Sequence, residues 1–127
     1  MKLLLDTHAL IWFSQADNNL SQTAKSAITN PENACFVSIV SFWEMAIKIK
    51  TGKLKLKFSL EDLKNLAMQN DIKILPITFA HILPITTMDL YHSDPFDRLL
   101  IAQAICENMA IISKDEKFSY YDVSVIW

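Results

Sequence analysis

Apolar and polar positions alternate along the chain in short blocks, and the period of each block predicts an element. Lys2–Leu5 is an apolar run stopped by Asp6 and reads as a buried first strand. Ala9, Leu10, Trp12 and Phe13 begin a helical stretch. Ser21–Thr29 carries Ala24, Ala27 and Ile28 at helical spacing, and Asn30-Pro31 ends it. Cys35–Val37 predicts a second strand. Ser38 is then an N-cap for a helix that runs to about Lys50 and is closed by Gly52. In Lys53–Phe58 lysine alternates with Leu54, Leu56 and Phe58, as an extended segment or a helix end would. Ser59–Asn70 has an S-x-x-D cap and sets Leu60, Leu63, Leu66 and Ala67 on one face. Ile72–Leu75 predicts a strand and Phe79–Leu83 a short helix. Asp94-Pro95 opens a firm helix, Ala110–Ile112 is another buried strand, and Val123–Trp127 is read as the last.

Strands alternating with helices predict an α/β fold with a mainly parallel central sheet flanked by helices. With 127 residues and neither repeats nor linkers, the expectation is one domain, residues 1–127. No apolar run approaches the ~18 residues of a membrane span, and nothing reads as a signal peptide, so a cytoplasmic protein without membrane contact is expected. Cys35 and Cys106 both lie in apolar segments and read as buried thiols.

The single glycine, Gly52, excludes whole classes of chemistry. Phosphate-cradling P-loops and dinucleotide fingerprints need several glycines at fixed offsets. The net charge of −2 is unevenly spread: residues 1–80 hold nine Lys and seven acids, residues 81–127 three basic residues and seven acids. Lys48, Lys50, Lys53, Lys55 and Lys57 fall together. A basic stretch set against an acidic half suits a polyanion held near an acidic site.

Ligands of parallel α/β sheets bind beyond the carboxyl ends of the strands. Four acids fall there. Asp6 ends the first strand, Glu44 lies in the second turn of a helix, Asp97 in the first turn of another, and Asp115 just past Ile112. Each also has a purely structural reading. Asp94 and Asp97 make a good helix start, Glu44 can pair with Lys48, Asp115 can cap Glu116–Tyr120, and Asp6 can serve a turn. Their convergence on one rim argues for more. Clustered carboxylates repel, and they are matched by a hard divalent cation, Mg2+ or Mn2+, with oxygen ligands. No Cys or His cluster offers a zinc site.

Four segments carry a resemblance: Leu3-Leu4-Leu5-Asp6-Thr7-His8, Ser38-Ile39-Val40-Ser41-Phe42-Trp43-Glu44, His92-Ser93-Asp94-Pro95-Phe96-Asp97-Arg98-Leu99-Leu100-Ile101-Ala102-Gln103-Ala104, and Ile112-Ser113-Lys114-Asp115. Over essentially the whole chain the sequence resembles the PIN-domain family, and more narrowly the VapC-type toxins of bacterial toxin–antitoxin pairs. The long third segment is the specific one. The resemblance implies a three-layer fold and a Mg2+-dependent endoribonuclease with Asp6, Glu44, Asp97 and Asp115 as catalytic, metal-holding acids. It implies supporting hydroxyls at Thr7 and Ser113, where the family more often has Thr at the latter position. It also implies an RNA substrate, a cognate antitoxin that commonly places a basic side chain near the acids, and a homodimer. Lys48, Lys53, Lys55, Lys57 and Arg98 are the candidates for RNA contact. Asp94 is read as a cap. His92 is read as structural or as a rim contact, His81 as a surface residue, and His8 only as a possible substrate contact. Trp12, Phe13, Phe42 and Trp43 read as core or dimer face.

Three other functions are weaker on the same residues. A phosphoacceptor receiver needs an acidic pair after the first strand and an acceptor Asp after the third, but Thr7-His8 and Pro76 stand there. An aspartate-nucleophile phosphatase needs a second acid where His8 stands. A catalytically dead binding module is disfavoured by the intact set of acids.

Overall fold

A computed structural model describes all 127 residues. Strand β1 (Lys2–Leu5) leads through Asp6 into α1 (Thr7–Ser14), followed by α2 (Gln22–Thr29) and β2 (Ala34–Ser38). Then come α3 (Ile39–Lys50), α4 (Leu60–Gln69), β3 (Ile72–Leu75) and the one-turn α5 (Phe79–Ile82). A 3-10 turn over Leu83–Thr87 precedes α6 (Pro95–Glu107) and β4 (Ala110–Ile112). A second 3-10 turn over Glu116–Tyr120 leads to β5 (Val125–Ile126).

All four strand pairings are parallel, in the order β3-β2-β1-β4-β5. Parallel strands are buried on both faces and so read as continuous apolar runs. Leu3, Leu4 and Leu5 are each 0% exposed, and their alternation divides the interior into two cores. Leu3 and Leu5 face one side, packing with Ala9, Leu10, Ala24, Phe42, Met45, Leu63 and Ala67 from α1–α4. Leu4 faces the other with Leu100, Ile101, Ala104 and Phe118. The expected three-layer α/β architecture is therefore present. Its strand order differs from the 2-1-3-4-5 order of receiver-type folds, which removes the receiver alternative.

The caps follow the sequence closely. Ser21, Ser38 and Ser59 accept the N–H groups of Ala24, Val40 and Asp62, and Asp94 accepts those of Phe96 and Asp97. Gly52, at φ +74°, turns the chain just after α3.

Several expectations need correction. Helix α1 starts at Thr7 rather than Ala9, because the Asp6 carboxylate caps it by accepting the Ala9 N–H. The segment from Lys53 to Phe58 forms neither strand nor helix. Leu54, Leu56 and Phe58 pack against the core while Lys53, Lys55 and Lys57 point outward. The last strand shrinks to Val125–Ile126, because only these residues find register partners, Ile111 and Ile112. Cys35 is buried, but Cys106 lies on the outward face of α6 and is exposed. His81 is buried, not superficial. Its Nδ1 accepts the Thr78 N–H and its Nε2 reaches Glu107, tying α5 to α6. Trp43 is exposed and stacks edge-on against Phe96, and Trp12 is half-buried against Trp127. No helix is long and apolar enough to cross a membrane.

Candidate metal centre at the strand ends

The strand order reverses its sense of growth between β1 and β4, and a crevice opens beyond the carboxyl ends of strands at such a point. The register pairs Leu5 with Ile112, and the Asp6 N–H donates to the Ile112 carbonyl at 3.0 Å. Asp6 and Ser113 therefore leave their strands side by side.

Asp6 is 8% exposed. Burial raises its pKa, opposed by hydrogen bonds from the Ser113 side chain and the Ala9 N–H and by His8, while Glu44 adds to the rise. Thr7, next along, donates its hydroxyl to Glu44 Oε1 at 2.7 Å and lies 3.0 Å from the Ser41 hydroxyl. Thr7 thus clamps α3 to the end of β1. Glu44 is nearly buried, and its Oε2 meets Lys48 Nζ at 2.6 Å. This ion pair raises the Lys48 pKa, with burial opposing it. Lys48, counted among the free cations for RNA, is committed to a site acid instead.

Asp97 comes from the first turn of α6. Burial pushes its carboxyl up to about 8, with Asp94, Glu44, Asp6 and Asp115 all adding to the rise. Asp115 is held the other way. Burial alone would raise it, but the Lys117 N–H, the His92 ring and the Lys117 charge bring it below the usual carboxylate range. Its Oδ1 accepts the Lys117 N–H, capping the second 3-10 turn, while its own N–H donates to Ser113 Oγ. All four predicted acids thus converge on one rim, with Thr7 and Ser113 as their hydroxyl partners.

The surrounding candidates separate clearly. Arg98 forms no ion pair, and its Nε is buried without a partner. His8 is exposed, 5.4 Å from the Trp12 ring. Lys50, Lys53, Lys55 and Lys57 are exposed and unpaired. A groove of about 730 Å³ lies away from the acids, between the end of α3 and residues 52–60. The acids instead lie at the carboxyl ends of the strands, with Asp6 and Glu44 buried.

His92 is the residue that the sequence reading undervalued. It is 6% exposed, and its Nε2 lies 2.7 Å from Asp115 Oδ2 and 3.2 Å from Asp97 Oδ2. Its place two residues before the capping Asp94 was the available signal. Its partner at residue 115 was not visible locally.

The donor set fits a hard divalent cation. It offers four carboxylates and two hydroxyls, and the repulsion that adds to the burial-driven rise of Asp97 to about 8 is what such an ion relieves. His92, Asp97 and Asp115 also come close enough to suggest a mixed nitrogen–oxygen site.

A family model described as the PIN domain matches residues 3–124. Ribonuclease VapC22 of Mycobacterium tuberculosis is 28% identical over 117 residues, covering 91% of this chain and 88% of that protein. The structure of VapBC-1 from nontypeable Haemophilus influenzae superposes with a TM-score of 0.68 at 16% identity, covering 98% of this chain and 96% of that one. A toxin–antitoxin complex from Klebsiella pneumoniae does so with a TM-score of 0.65 at 19% identity and the same coverage. With its parallel sheet, its rim of four acids and a family match over nearly its whole length, the chain belongs to the PIN-domain family.

Proposed function

We propose that this protein is a Mg2+-dependent endoribonuclease acting as the toxin of a toxin–antitoxin pair, with Mn2+ able to replace Mg2+. The observation that carries this reading is the crowding of Asp97 by other acids at the strand ends. Asp94, Glu44, Asp6 and Asp115 all add to the rise that burial gives its pKa, and the only Lys or Arg in ion-pair contact with one of the acids is Lys48. Such a cluster is costly unless a cation is its intended occupant. The relative named a ribonuclease supports RNA as substrate, and solved neighbours described as toxin–antitoxin complexes support an antitoxin partner.

In this reading Asp6, Glu44, Asp97 and Asp115 hold the ion. A bound divalent cation supplies Lewis-acid stabilisation of the phosphodiester oxygens and activates water. The chain's own groups do the aiming. Thr7 fixes Glu44, Ser113 steadies Asp6 and Asp115, and Lys48 takes the outer oxygen of Glu44. The exposed Lys53, Lys55 and Lys57 attract RNA, with Arg98 nearer the acids. The intact set of acids argues against a dead module. A homodimer working in the cytoplasm completes the proposal.

Asp6→Asn tests it. Asn keeps the cap on α1 and removes one carboxylate, so cleavage of RNA with Mg2+ falls to background while the metal-free melting temperature holds or rises. Full cleavage by this variant, or by wild type in excess EDTA, overturns the reading.

A further inference from the structure

His92 is fixed at several points. Its backbone N–H donates to the Tyr121 hydroxyl at 2.9 Å, and that hydroxyl donates to the Asp89 carbonyl at 2.7 Å. Its ring packs against Phe118 at 5.6 Å between centroids. Its Nδ1 accepts the Asp94 N–H at 3.2 Å. This last contact decides the chemistry of the ring. A backbone N–H can only donate, so Nδ1 carries the lone pair and Nε2 carries the proton. The nitrogen that faces Asp115 at 2.7 Å and Asp97 at 3.2 Å is therefore an N–H donor.

The closeness of His92, Asp97 and Asp115 invites the opposite reading, in which all three ligate one ion. For Nε2 to ligate, the proton must move to Nδ1. Two N–H groups would then face each other at 3.2 Å, and the hydrogen bond from Asp94, which also caps α6, would be lost.

We propose that His92 is a positioning residue that grips Asp115 Oδ2 through Nε2–H, with Asp97 Oδ2 alongside at 3.2 Å, presents the Asp115 carboxylate to the cation as an oxygen ligand, and withholds its own nitrogen from it. The inference rests on the metal-nuclease reading above and adds a determinant of ion choice. With nitrogen withheld, the site offers oxygen only, which favours Mg2+ and Mn2+ over metals that seek imidazole. The outer oxygen of Asp115 is taken by His92 and the inner one by the Lys117 N–H, so its orientation is set before any ion arrives.

Two measurements test this. Long-range 1H–15N spectra of wild type report the ring tautomer, and the Nε2–H form is expected both without Mg2+ and with it. An Nδ1–H ring in the loaded protein overturns the proposal. Mn2+ affinity by titration calorimetry is then compared among wild type, His92→Phe and His92→Gln. Phe keeps the packing on Phe118 but has no donor, and weakens Mn2+ by about 10–100-fold. Gln carries an N–H near the position of Nε2 and recovers most of that loss. Unchanged affinity in the Phe variant overturns the proposal, and if that variant fails to fold the wild-type tautomer decides alone. A wild-type protein that takes up no Mn2+ overturns the metal reading itself, an outcome visible before any variant is made.

Discussion

At the scale of single residues, Asp97 makes the metal-free protein sensitive to pH. An unfolded chain releases this proton near 3.8, whereas the folded protein keeps it until about 8. Between those values the folded state binds more protons, so stability falls as pH rises through the window and levels off above it. Asp6 is shifted in the same direction and adds to the slope. Asp115, shifted down, acts oppositely and costs stability only in more acid solution. In EDTA the melting temperature is therefore expected to fall as pH rises from about 4 to about 8. Asp97→Asn should flatten most of that decline and melt higher than wild type at pH 8. A wild-type melting temperature that rises over this range would contradict the charge crowding described here.

At the scale of elements, the caps and apolar runs were legible because they are local physics. Ser38 before an apolar helix and Asp94-Pro95 before another each resolve within a few residues. The four acids were legible because a parallel sheet dictates where its strand ends lie. What stayed hidden depended on partners far along the chain. His92 meets a carboxylate 23 positions away and His81 one 26 positions away, and no local spacing predicts either. Lys48 is different, since its pairing with Glu44 four residues back was legible and is made. Asp6 was readable as an acid but not as a cap, since one side chain does both tasks. The segment after Gly52 sits between these cases. Its alternation was clear, and it gives a one-sided comb of lysines without a strand. Replacing Lys53, Lys55 and Lys57 together with Ser should weaken RNA binding and flatten its dependence on salt, because fewer counterions are released. Turnover of bound RNA should change little. An unchanged salt slope would leave these lysines as a solvated face.

At the scale of the whole molecule, α3 and α5 each leave apolar side chains exposed. Ile39, Trp43 and Ile47 follow each other at intervals of four along α3 and are 41%, 59% and 40% exposed, while α5 exposes Phe79 and Ile82. Grouped exposure of this kind marks an association surface. A homodimer is expected in sedimentation equilibrium, and Ile39→Asp combined with Ile47→Asp should shift it to monomer without loss of helix content. A wild-type monomer at all concentrations would remove the dimer from the proposal. Under the proposed toxin function, the order of the sheet also bears on when such a protein becomes dangerous to the cell that makes it. Strand β1 lies at the centre, and its second neighbour, β4, begins at Ala110. Until β4 has been synthesised, Asp6 has no Ser113 beside it and no Asp115 across from it. At about 5–20 residues per second, several seconds separate the first acid from the last. During that interval the growing chain carries the acids without their assembled rim. On the proposed function, toxicity would begin late in synthesis, which leaves an inhibitor made earlier time to be waiting.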